Sequence, residues 1–64
     1  MNTYKMYNHS EPDTFEGLNL EYCASIDESA IGFAEVYAKK LGWSHYTVVE
    51  ILDLDGNERL VYVI

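Results

Sequence analysis

The chain has 64 residues, 48% of them apolar and 14% aromatic, with 11 acidic side chains against 4 basic ones and a formal net charge of −7. A chain of that length builds one core, burying only about 60% of the surface its unfolded form exposes, and its apolar content exceeds that of disordered segments. The charge opposes direct contact with nucleic acid or anionic lipid, because phosphates repel carboxylates, and makes a basic protein the electrostatic complement.

Thr3 to Asn8 opens with Tyr4 and Met6 alternating with Lys5 and Tyr7, the period of a short strand, and His9-Ser10-Glu11-Pro12-Asp13 follows as an acidic turn holding the only proline. From Phe15 onward, Leu18, Leu20, Tyr22 and Ala24 alternate with Asn19, Glu21 and Cys23, which predicts a second strand with Glu21 on its wet side. Ser25-Ile26-Asp27-Glu28 has the spacing of a capping box, so a helix is expected to begin there. Ala30, Phe33, Ala34, Tyr37 and Leu41 form its apolar stripe, with Glu28, Gly32, Glu35 and Lys39 opposite and Glu35 paired to Lys39. Lys39 and Lys40 suit the negative helix end, and Gly42 stands where a left-handed cap is wanted.

Tyr46 to Leu52 and Leu60 to Ile64 are rich in β-branched and aromatic residues, and Asp55-Gly56-Asn57 between them is a hairpin signal. The order is ββαββ over a single domain, residues 1–64. The fold class is α+β, with a three- to four-stranded, mostly antiparallel sheet and one helix packed on one face. The last strand, if at a sheet edge, offers a surface for pairing with another chain, although a monomer is expected.

Cys23 is the only cysteine, which rules out an internal disulfide and a cysteine-based zinc site and suits a reducing cytoplasm. The start, Met1 to Lys5, lacks the apolar run of a secretory signal, and no stretch of ~18 apolar residues predicts a membrane span. Neither a metal nor a cofactor is expected. His9, Glu11 and Asp13 lack further ligand spacing, and Asp53, Asp55 and Asn57 begin a calcium-loop pattern that fails at Glu58 and Ile64. Cys23 with His9 or His45 carries no activating motif, and it reads as an inert, partly buried thiol. No enzyme is indicated.

Chemistry is therefore sought at surfaces. Tyr4 or Tyr7, Tyr46 and Tyr62 are candidate aromatic anchors, Tyr22 and Tyr37 being expected in the core. Asp53 and Asp55, two apart on an extended strand, would project to one side about 6.6 Å apart, on the order of phosphate spacing along a nucleic-acid strand. Glu11 and Asp13 share that offset, and Glu16, Glu21, Glu50 and Glu58 extend the carboxylate set. The segments from Glu11 to Glu16 and from Glu50 to Glu58 are acidic without a folding reason, so partner binding is assigned to these eight residues.

In size, charge and compact α+β pattern the chain resembles the phage-encoded anti-CRISPR and anti-restriction proteins that act as DNA mimics. The resemblance implies an inhibitor of a type I CRISPR surveillance complex, held on the basic residues of its DNA-recognition subunit and blocking target DNA. It rests on the character of the whole chain, so no family residue is carried over by position. The alternative is a small acidic interaction or regulatory subunit of another bacterial or phage complex, its charge serving solubility.

Overall fold

The computed structural model describes residues 1–8 and 19–64. Strand β1 (Asn2–Asn8) and strand β2 (Asn19–Ala24) are followed by helix α1 (Asp27–Leu41), then by β3 (Tyr46–Ile51) and β4 (Glu58–Val63). The strands form one antiparallel sheet in the order β2-β1-β3-β4, with α1 against one face. The expected α+β class, ββαββ order and β3–β4 hairpin are all present. The expected beginning of the second strand, Phe15 to Leu18, lies outside the described residues.

Period-2 patterning decides which side chains the helix covers. Tyr4 and Met6 of β1 and Val48 of β3 are fully buried, joined by Ala24, Ala30, Ala34, Ala38 and Tyr46. The helix contributes only alanines to this core, spaced four apart on one lane, and small side chains let its backbone lie close on the strand tyrosines. The expected stripe is thus rotated. Phe33 and Leu41 are 45% and 52% exposed, Tyr37 is half-buried, and Ala38, outside the expected stripe, is buried instead. Phe33 and Tyr37 fall on the β2 side, where both rings meet Tyr22 edge-on at 6.4 and 5.5 Å. No ion pair joins Glu35 to Lys39 among the described residues; both border a groove with Trp43 and Tyr46.

The capping box does not form. Ile26 occupies the cap position in extended conformation and its side chain, having no polar atom, makes no capping hydrogen bond. Asp27 instead accepts from the Tyr4 hydroxyl at 2.8 Å and from Arg59 at 2.8 and 3.0 Å, which ties the helix start to β1 and β4. The helix start is held by contacts across the fold.

At the other end Gly42 has φ 75°, its N–H donates to the Ala38 carbonyl, and open space surrounds the position of a Cβ. Gly32, within the helix, also has open space there but keeps helical backbone. Opposite outcomes follow: Gly32→Ala is expected to stabilise the fold by about 1 kcal/mol through backbone entropy, and Gly42→Ala to destabilise it by about 1 kcal/mol through left-handed strain. Urea midpoints of the two variants, moving in opposite directions, check both.

The sheet is irregular at one point. Val48 pairs with Tyr62 and Val49 with Leu60, so Val61 is an extra residue that bulges β4. Among the described residues, β2 and β4 are the edge strands. No helix among the described residues is long and apolar enough to cross a membrane.

Candidate partner-binding surface

The register sorts the sheet residues into two faces. Under the helix lie Tyr22, Tyr4, Glu50 and Arg59 in one row and Leu20, Met6, Val48 and Tyr62 in the next. On the opposite face the rows read Cys23, Thr3, Ile51, Glu58, then Glu21, Lys5, Val49, Leu60, then Asn19, Tyr7, Thr47, Val63. Glu21 and Glu58 therefore share the open face, one on each edge strand, with Lys5 between their columns. Glu50 does not join them.

Glu50 is held from the helix side. Its carboxylate accepts from Arg59 at 2.7 and 3.0 Å, and Arg59 also reaches Asp27. Arg59 hydrogen-bonding first, and the Tyr4 hydroxyl second, hold the Asp27 carboxyl below its ordinary value of 3.8, while the two carboxylates push the guanidinium pKa up. This network satisfies polar groups at the rim of the core, so Glu50 has a role within the fold. Arg59 is committed to Asp27 and Glu50 here.

Asp53 and Asp55 also depart from expectation. β3 ends at Ile51, so the two do not lie on the extended strand from which the phosphate-like spacing was expected. Asp53 folds back instead: its carboxylate accepts from the Asp55 N–H at 2.9 Å, the Asn57 N–H at 3.2 Å and the Asn57 side-chain amide at 2.6 Å. Those bonds, the Asn57 side chain foremost, keep its pKa below 3.8. Gly56 at φ 90° lets the chain reverse, and the Leu52 N–H closes the turn on the Asn57 carbonyl at 2.8 Å. Asp55 lends this turn its N–H, and its side chain is exposed.

Glu58 accepts from the Tyr7 hydroxyl at 2.5 Å. In the register the line between these two residues crosses Val49, the midpoint of the diagonal, and Val49 is only 7% exposed although it lies opposite the helix. The bond therefore forms a strap over the centre of the open face. Hydrogen bonding to Glu58, then burial, raises the Tyr7 pKa. The acidic hairpin thus has folding reasons after all, in Glu50, Asp53 and Glu58.

What remains of the expected surface is concentrated at the hairpin end of the open face. Glu21 from β2 and Asp53 from the turn line one shallow depression of about 280 Å³ with Thr3, Ile51, Leu52 and Leu54. Leu52, Leu54 and Leu60 are 54%, 106% and 63% exposed, an apolar component missed in the sequence. The signal was there in Leu52-Asp53-Leu54-Asp55, where leucines alternate with aspartates beyond the end of the strand. Glu11, Asp13 and Glu16 lie outside the described residues.

The aromatic anchors sort cleanly. Tyr4 and Tyr46 are buried, which removes them as candidates, whereas Tyr7 and Tyr62 are half-buried. Cys23 is exposed rather than partly buried, because it falls on the open-face side of an edge strand. No group of three or more metal-binding side chains converges among the described residues.

The tyrosines set an alkaline limit. Burial raises the Tyr22 pKa to about 12, its hydroxyl donating to the Ala30 carbonyl at 2.7 Å, and burial also raises those of Tyr4 and Tyr46. A folded pKa above the unfolded 10.0 favours the folded state fully below pH 10 and progressively less as pH rises through the folded value. Asp27 and Asp53, depressed below 3.8, act in the reverse sense: their contribution is present above 3.8 and lost as pH falls through the folded values. The urea midpoint is expected to hold between about pH 5 and 9 and to fall on either side; Tyr22→Phe should flatten the alkaline limb.

No protein-family model, no curated protein and no solved structure matches the chain.

Proposed function

We propose that this protein is an inhibitor that binds the basic DNA-recognition surface of a nucleic-acid-binding complex, placing carboxylates where DNA phosphates would lie. The observation that carries the reading is the meeting of Glu21 and Asp53 in one depression, with Asp55 on the same turn and Glu58 on the same sheet face as Glu21. Lys5 is the one cation in the described rows of that face, and its ammonium lies 5.5 Å from the Tyr7 ring centroid. Lysines and arginines of a partner that normally hold phosphates would meet these carboxylates and release counterions as DNA does. The anti-CRISPR DNA mimics, inhibitors of a type I surveillance complex, are the class that such a mode of action fits.

A second reading is favoured by the exposed leucines. Leu52 and Leu54 in the depression, with Leu60 exposed on the same sheet face as Glu21, suit a regulatory protein–protein contact in which apolar burial supplies the affinity and charge serves solubility. The two readings separate on salt. Immobilised protein is exposed to bacterial lysate at low salt and eluted with a rising gradient. Phosphate mimicry predicts a nucleic-acid-binding complex that leaves early and competes with DNA; recovery only of proteins without nucleic-acid function, held through high salt, rejects it.

A further inference from the structure

Edge strands are usually protected, and the two edges of this sheet differ in that respect. β4 carries the Val61 bulge, which breaks the regular ladder of outward N–H and C=O groups. β2 pairs with β1 through six consecutive positions without a skip, from Asn2 opposite Ala24 to Tyr7 opposite Asn19, so its outer edge is regular. No strand lies beyond it among the described residues.

Beside that edge runs an apolar groove of about 300 Å³ between β2 and α1, lined by Leu20, Glu21, Tyr22, Tyr37, Lys40 and Leu41. The Phe33 ring stands 6.3 Å from that of the lining Tyr37, and Phe33 and Leu41 are 45% and 52% exposed. A regular strand edge alongside a helix-walled apolar groove is the geometry that receives an extended peptide: main-chain bonds come from the strand and alternate side chains enter the groove.

We infer that the β2 edge and this groove take up an extended segment of the partner by strand addition, a segment with apolar residues at alternate positions and basic residues between them. The inference rests on the reading that the partner is basic. Residues of the added strand that point to the helix side meet Leu20, Tyr22, Tyr37 and Leu41, where Lys40 at the rim disfavours a second cation. Residues pointing the other way stand beside Glu21 on the open face, where a lysine or arginine forms an opposite-charge cross-strand pair. The net charge of −7 attracts such a segment and repels a second copy of this chain.

The test uses the full chain and a blocked eight-residue peptide of alternating valine and lysine, followed by amide hydrogen exchange and NMR titration at low salt. Exchange at the outward amides of β2 is expected to slow about tenfold or more on saturation, with β4 unchanged. Leu41→Glu, on an exposed position that leaves the fold intact, is expected to weaken the peptide about tenfold. Glu21→Lys should weaken it as well, and peptides with glutamate for lysine, or N-methylated at alternate residues, should not bind. Protection at β4 or nowhere, equal binding of the N-methylated or glutamate peptide, or a dimer that protects β2 without peptide would each overturn the inference.

The lysate experiment keeps the two claims separate. If Leu41→Glu captures the same nucleic-acid-binding complex as the parent with the same salt elution, the groove assignment fails and the proposed function stands. If the peptide binds β2 but no such complex is captured, the proposed function fails and the groove remains a site for basic extended segments.

Discussion

Replacing Tyr4 by alanine is expected to leave most of the chain unfolded at room temperature. The ring is fully buried at the centre of the core, its centroid 6.1 Å from that of Tyr22, and removing a buried aromatic costs about 3–5 kcal/mol. A chain of this length has a total stability of only about 3–10 kcal/mol. The hydroxyl adds to the loss, because it donates to Asp27 in the same contact set that anchors Arg59 and Glu50. Tyr4→Phe separates the two contributions: it keeps the ring, removes the donor, and should cost about 1–2 kcal/mol. Far-ultraviolet dichroism in a urea titration reads both. An alanine variant with the parental midpoint would mean that the core does not depend on Tyr4.

That dependence was hidden by the same rule that made the fold legible. Alternation placed Tyr4, Met6, Tyr22 and Val48 on strands and predicted one wet and one dry face for the second strand, and the hairpin followed from Asp55-Gly56-Asn57. Alternation says nothing of which face receives the helix, so Tyr4 stayed a candidate anchor until the register put it opposite Tyr22 and beneath α1. The helix stripe was misjudged for a related reason. Large residues at i, i+3, i+4 spacing attract the eye, but close packing over tyrosines favours the Ala30, Ala34, Ala38 lane and leaves Phe33 and Leu41 outside.

The acidic surface was legible as a total and not as a distribution. Local spacing offered Ser25 and Glu28 a capping box and Asp53 and Asp55 a phosphate-like pair, yet each local motif competes with partners distant in sequence or with a tighter local turn. Asp27 prefers Tyr4 and Arg59, Glu50 prefers Arg59, and Asp53 prefers Asn57. Arg59 decides much of this. As a single cation reaching two carboxylates on different elements, it draws Asp27 and Glu50 to the helix side and leaves Glu21 and the strapped Glu58 on the open face, with Asp55 exposed on the adjoining turn.

A double charge reversal of those acids is expected to abolish binding without unfolding the protein. Glu21→Lys with Asp55→Lys changes two exposed side chains and moves the net charge from −7 to −3, two units per substitution. Neither side chain holds the turn: Asp55 serves it through its backbone N–H, while Asp53, which does hold it, is left in place. Stability should therefore change by only about 0.5 kcal/mol. Facing a basic surface, each reversal replaces an attraction by a like-charge contact, and affinity for the captured complex at low salt should fall about a hundredfold. The salt slope should become shallower, because fewer counterions are exchanged. Capture of the complex by the double variant at parental strength, with a parental salt slope, would remove Glu21 and Asp55 from the interface. Reversal of Glu50 and Asp27 would instead lower the melting temperature, since those carboxylates bind Arg59 within the chain. The two pairs carry equal charge, so only position in the fold distinguishes a loss of partner from a loss of structure.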